Sequence, residues 1–178
     1  MPQEVQIHDK TFVQFIDRQT IEDRVRTVAD RISSDYAGKR PLLLGILNGS
    51  FIFAADLFRC LQIDAAITFV KLASYKGTTS TGNVITAIGM EERIADRHVI
   101  IVEDIIDTGR TLHAFLPEIE RQNPASVSIA TFLTKPGALQ YDIRACYTAF
   151  EIENKFVVGY GLDFDGLGRN LPDLHILK

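Results

Sequence analysis

Val99-Ile100-Ile101-Val102 is an unbroken run of β-branched apolar residues. A strand with one wet face alternates apolar and polar side chains. An unbroken run fits a strand covered on both faces, as in a parallel sheet between layers of helix. The run leads into Glu103-Asp104, which the pattern places at the strand's exit, then to Asp107 and to Thr108-Gly109-Arg110-Thr111. Beyond it Leu112, Phe115, Leu116 and Ile119 recur at helical spacing. The unit reads as strand, acidic turn, small hydroxyl-rich loop, helix. A second such unit lies upstream. Pro41 to Leu47 is a buried strand, Asn48-Gly49-Ser50 a small polar turn, and Phe51 to Leu61 a helix. With further strands at Ala65–Leu72 and Ser126–Thr134, the chain is expected to be α/β, a mainly parallel central sheet flanked by helices.

In open α/β sheets ligands bind beyond the carboxyl ends of the strands. Two carboxylates about 5 Å apart at an effective dielectric of ~20 repel by roughly 3 kcal/mol. Glu103, Asp104 and Asp107 therefore call for a cation, a proton or an arginine nearby. Mg²⁺ carried in on substrate phosphates suits such oxygens. The loop that follows presents backbone amides, two threonine hydroxyls and a helix N-terminus, which suit a phosphate monoester. The Asn48-Gly49-Ser50 turn offers amides and a hydroxyl in the same way. The expected ligand carries several phosphates and a bound metal.

Elsewhere the chain is less explicit. Residues 1–19 show no strong period and read as an arm or a short strand. Thr20 to Tyr36 is an amphipathic helix with Ile21, Val25, Val28, Ala29 and Ile32 on one face, and Thr20 with Asp23 resembles a capping box. Ala73 to Asn83 has one aromatic, two glycines and no aliphatic side chain larger than alanine, so it is expected as a surface loop or hairpin tip, with Val84–Met90 returning as a strand. Lys135 ends the Ser126–Thr134 strand. Ala149–Ile152 is a small apolar piece. Gly159 and Gly161 do not make a dinucleotide fingerprint, because Phe164 stands at the third glycine position.

Length and composition exclude several classes. At 178 residues, 46% hydrophobic, the chain is expected to be one globular domain spanning 1–178. A net charge of −4 argues against a nucleic-acid face. No apolar run approaches 18 residues and no signal-peptide pattern opens the chain, so a cytoplasmic protein without membrane contact is expected. Cys60 and Cys146 fit no metal spacing and read as reduced thiols, and the scattered His8, His98, His113 and His175 argue against zinc.

The string Val102 to Leu112 resembles the signature of the type I phosphoribosyltransferases, which holds the ribose and 5′-phosphate of phosphoribosyl pyrophosphate (PRPP). Asn48-Gly49 resembles that family's pyrophosphate loop, where the bond equivalent to Leu47–Asn48 is often cis. Many relatives carry Lys or Arg where Asn48 stands, which leaves pyrophosphate more dependent on amides and metal. Ser74-Tyr75, with Lys71 at its base, resembles the catalytic lid. Lys155 to Asp163 resembles the base-binding segment of hypoxanthine-guanine phosphoribosyltransferases.

The resemblance implies the type I phosphoribosyltransferase fold, with a flexible lid at about 73–84 and a base-binding hood at about 150–178. It implies PRPP and a purine base as substrates, Mg²⁺, and a homodimer or homotetramer. Glu103 and Asp104 would meet the ribose hydroxyls and the first Mg²⁺, and Asp163 the second. Asp107 would be general base or acid at purine N7, and with Thr108, Gly109, Arg110 and Thr111 would cradle the 5′-phosphate. Phe156 would stack on the base, Val157 backbone would read its edge, Lys135 would bind a 6-oxo group, and Arg169 would face pyrophosphate. A xanthine-preferring enzyme is the nearest alternative. A non-catalytic regulator that binds nucleotide or RNA is a second class, against which the net acidity and Asp107 both speak.

Overall fold

Residues 3–75, 84–89 and 92–178 are described by a computed structural model, with backbone alone at 73–75 and 84–88. In chain order the elements are β1 (Glu4–Ile7), β2 (Lys10–Ile16), α1 (Arg18–Asp35), β3 (Leu42–Leu47), α2 (Phe51–Cys60), β4 (Ala66–Tyr75) and β5 (Val84–Ile88). Then come β6 (His98–Ile106), α3 (Arg110–Glu120), β7 (Ser126–Thr134), β8 (Tyr147–Glu151), β9 (Val157–Val158) and β10 (Leu174–Leu177). One sheet has the order β5-β4-β3-β6-β7-β8. Strands β4, β3, β6, β7 and β8 run parallel, and β5 is an antiparallel edge. A second, antiparallel sheet has the order β1-β2-β10-β9.

The β-branched run behaves as its composition requires. Ile100 and Val102 enter the cluster with the apolar face of α1 and with Phe53 and Leu57 of α2. Val99 and Ile101 enter the opposite cluster, with Leu112, Phe115 and Ile119 of α3. All four are fully buried, and burying such a side chain is worth about 1.5–3 kcal/mol. A polar residue at any of these positions would face a layer of helix. No helix among the described residues is long and apolar enough to cross a membrane.

Several boundaries differ from the sequence reading. Strand β6 does not end at Val102. Glu103 still pairs with Thr131, and Ile105 and Ile106 with Leu133 and Thr134, so Glu103 and Asp104 sit within the strand. Apolar residues on both sides of the acids let the ladder continue past them. Within the stretch read as an arm or a short strand, Glu4–Ile7 and Lys10–Ile16 form a hairpin in the second sheet, joined to β10 by β2. Helix α1 starts earlier than Thr20. Its N-cap is Asp17, whose carboxylate accepts from the Thr20 amide (2.9 Å) and hydroxyl (2.8 Å) and is thereby held below its ordinary pKa. Asp23 instead accepts from Gln19 and Arg26. Strand β4 runs on through Ser74 and Tyr75, which pair with Ile85 and Val84, so these residues belong to a strand in their backbone rather than to a loop. The remainder of the expected lid, 76–83, lies outside the described residues. The apolar piece expected at Ala149–Ile152 falls on β8, which begins at Tyr147 and ends at Glu151, one residue before Ile152.

Candidate functional site

Three strands of the parallel sheet, β3, β6 and β7, deliver their carboxyl ends to one edge, and the loop 159–169 comes down on it from the second sheet. After β3, Leu47–Asn48 is a cis peptide bond, Asn48 is exposed, and the Ser50 hydroxyl donates back to the Ile46 carbonyl (2.6 Å). Gly49 is buried so closely against Asp104 that a Cβ would overlap Oδ2 of that side chain. Only glycine lets the β3 turn and the β6 acid share this space.

From the carboxyl end of β6 into α3, residues Glu103 to Leu112 line a cavity of about 270 Å³. Gly109 adopts a left-handed backbone (φ 79°) as N-cap of α3 and has no side chain to cap the helix. The Arg110 amide is met by Thr108 Oγ1 (3.3 Å). This is the turn-then-helix geometry that presents amides to an anion. Arg110 and Thr111 are exposed, and Thr108 is half-buried.

Electrostatics divide the acids. Burial drives the Glu103 carboxyl well above its ordinary pKa of 4.5, and the Asp104 charge adds to this. Its Oε2 is buried without a hydrogen-bond partner. Asp104 is also raised by burial, which the Ile105 amide (2.8 Å) partly offsets. Asp107 is different, half exposed and ion-paired to the buried Lys135 at 3.0 Å. Apart from the family resemblance, Lys135 was marked in the sequence only by its place at a strand end. Its burial comes from the way the β7 exit turns under the β6 loop, with the Lys135 amide donating to the Ile106 carbonyl (3.0 Å).

The loop from the second sheet adds Arg169 and Asp163. Arg169 pairs with Asp163 (2.6 Å) and donates to the Gly161 carbonyl (2.6 Å), and its charge also reaches Asp104. Gly161 (φ 102°) packs so tightly on the Gly49 carbonyl that a Cβ would overlap it. Asp104, Gly49, Gly161, Arg169 and Asp163 therefore form one connected group drawn from strand β6, the turn after β3 and the loop 159–169. In the sequence Gly161 stood within the base-binding segment that the resemblance marked, with no role of its own. Its contact is with backbone 112 residues earlier, which no local motif shows. Tyr160 anchors the same loop to α2 through a hydrogen bond to Asp56 (2.8 Å). Val157 begins β9 of the second sheet, and Phe156 immediately precedes it. Val157 is buried and pairs with Ile176, while the Phe156 ring is 47% exposed.

A family model described as a phosphoribosyl transferase domain matches residues 14–165. The chain belongs to the phosphoribosyl transferase family. Members transfer a pentosyl group, so this is an enzyme of the pentosyltransferase class. It is 41% identical over 164 residues to the hypoxanthine-guanine phosphoribosyltransferase of Streptococcus pneumoniae (strain ATCC BAA-255 / R6), covering 92% of this chain and 91% of that protein. It is 37% identical over 159 residues to the hypoxanthine-guanine-xanthine phosphoribosyltransferase of Tritrichomonas foetus, covering 89% and 87%. Among solved structures, a hypoxanthine-guanine phosphoribosyltransferase from Bacillus anthracis str. 'Ames Ancestor' superposes with a TM-score of 0.86 at 34% identity, over 93% of this chain and 98% of that one. The mainly parallel sheet with its antiparallel edge is thus the type I phosphoribosyltransferase fold of these relatives.

Proposed function

We propose that the chain, as one phosphoribosyltransferase domain, transfers the phosphoribosyl group of PRPP to a 6-oxopurine, hypoxanthine or guanine. The products would be IMP or GMP and pyrophosphate. The observation that carries this reading is the Lys135–Asp107 pair at the rim of the Glu103–Leu112 cavity. It sets a hydrogen-bond donor for a base oxygen beside a carboxylate that can take a proton from the base, next to an amide-lined turn. The names of the Streptococcus and Tritrichomonas relatives support the substrate class.

In this reading purine N9 attacks the anomeric carbon, the C–O bond to pyrophosphate breaks, and the N7 proton passes to Asp107. Lys135 donates to the 6-oxo group. Asp107, Thr108, Gly109, Arg110 and Thr111 cradle the 5′-phosphate. Asn48 and Gly49 with Arg169 receive the pyrophosphate, and Ser74 and Tyr75 belong to a lid that excludes water. Phe156 stacks on the base, Val157 backbone reads its edge, and Asp163 lies near the base and a metal.

The residues fit Mg²⁺. Among the described residues no three His, Cys, Asp or Glu side chains converge on a ready cage. Mg²⁺ commonly binds through one or two carboxylates and substrate phosphates, and the acids here come in such small sets. Glu103 carries an unpartnered oxygen beside Asp104. Glu103 and Asp104 would serve one ion and Asp163 a second. When bound, Mg²⁺ supplies charge neutralisation on the leaving pyrophosphate. The two free thiols fit a cytoplasmic enzyme, and a homodimer or homotetramer belongs to the same reading.

The deciding experiment is an ultraviolet assay with PRPP and Mg²⁺ against hypoxanthine, guanine, xanthine and adenine. Turnover of hypoxanthine or guanine, abolished by EDTA, is expected. Turnover of adenine alone, or of none, would sink the reading, and a preference for xanthine would move it to the alternative substrate.

A further inference from the structure

The N-terminal hairpin takes no part in the site described so far, yet it stands directly behind Phe156. Phe12, on β2, is fully buried and lies 6.2 Å from Phe156 between ring centroids, tilted by 43°. Phe164, one residue beyond Asp163, meets Phe156 edge-on at 5.7 Å and 83°, and Phe12 at 6.0 Å. All three separations fall within the range of about 4.5–7 Å at which aromatic rings attract. The backbone is tied to match. The Leu177 amide donates to the Phe156 carbonyl (3.1 Å), and the Lys178 amide to the Thr11 carbonyl (3.0 Å). Strand β10 thus links the residue that carries the exposed ring to the strand that carries the buried one. The residues that precede Phe156, Glu153, Asn154 and Lys155, are exposed, as is Phe156 itself.

We propose that Phe12, with Phe164, is a positioning residue for the base site, holding the Phe156 ring in one orientation so that its open face is a ready stacking platform. This rests on the reading that Phe156 stacks on the purine. A phenylalanine ring turns about two torsions, and a half-exposed ring braced on one side only by solvent would have to be ordered each time a base bound. Buried support removes that ordering from the binding step. The hairpin that begins the chain is in this way part of the base pocket, although Phe12 does not touch the base.

The test uses Phe12→Leu and Phe164→Leu in the full chain, which keep apolar volume but remove a ring, with Phe156→Ala as reference. A second readout uses Phe156→Trp. The chain has no tryptophan, so indole emission, excited selectively over the tyrosines, comes from that position alone. Phe12→Leu is expected to raise KM for hypoxanthine about three- to tenfold, the scale of an aromatic contact. KM for PRPP and kcat should stay within about twofold. In the Phe156→Trp background it should make the indole more accessible to acrylamide and weaken its response to base. If Phe156→Ala raises KM for the base and Phe12→Leu does not, the positioning role is wrong while stacking stands. If Phe156→Ala leaves that KM unchanged, stacking and positioning fall together. A parallel rise of both KM values with Phe12→Leu would mean general loosening and also overturns the proposal. Should Phe12→Leu fail to fold by circular dichroism, Phe164→Leu at its half-buried position decides by the same criteria.

Discussion

Lys135 donates to the Asp107 carboxylate across 3.0 Å, joining the ends of two neighbouring strands through a lysine that is 6% exposed. Asp107 is far more open to solvent, and Lys135 engages one of its two oxygens, Oδ2. The pair is a donor and an acceptor at fixed separation, which is what a base with an oxo group and a mobile proton requires.

If Asp107 takes the purine proton, Asp107→Ala should lower kcat by about 10²-fold or more, the usual contribution of a placed acid or base. PRPP should still bind, as measured by calorimetry. Unchanged turnover would remove Asp107 from the reaction.

Lys135→Ala removes a charged donor from the base oxygen. The ratio of kcat/KM for hypoxanthine to that for adenine should fall about tenfold or more, as expected for the loss of a hydrogen bond from a charged group. Equal losses on both bases would show that Lys135 supports the fold of the loop and does not read the base.

Gly49→Ala places a methyl group where Asp104 Oδ2 now lies. Either the turn after β3 or the β6 acid must move. KM for PRPP should rise about tenfold or more, because a displacement of about 1 Å in a positioned site is felt at that scale. The thermal midpoint should change little by comparison. Wild-type kinetics would mean that the Gly49–Asp104 contact has no role in holding PRPP.

The buried Glu103 makes a pH prediction with a definite sign. Its pKa is raised in the fold above the ordinary 4.5, so between those two values the folded protein holds more protons than the unfolded chain. Stability contributed by the protonated form is present below about pH 4.5 and is lost as pH rises through the folded value. In EDTA, Glu103→Gln should flatten the decline in melting temperature on going from pH 5 to pH 8. At pH 8 its midpoint should lie above that of the wild type. Parallel melting curves for the two proteins would place Glu103 in a solvated setting.

Periodicity alone carried the reading of the layers. The Val99–Val102 run required cover on both faces and received it from α1, α2 and α3. The face of α1 was legible because each of its five apolar residues recurs at helical spacing, and all five are buried. Ends of elements were less legible. Charge at Glu103 looked like a strand terminus, while Ile105 and Ile106 kept the ladder going. The N-terminal hairpin was not legible, because half of its pairing is with β10, some 160 residues away in the chain.

By itself the sequence determined the order of strand, small turn and helix, the acids after the central strand, and the motifs that mark the family, since these depend on neighbours a few residues apart. The tertiary structure decided which of those residues meet. It buried Lys135 under Asp107, pressed Gly161 against Gly49, and set Phe12 behind Phe156. Each of those contacts joins distant parts of the chain. They follow from how two sheets and three loops pack, a global balance of burial and polar satisfaction that no local window contains.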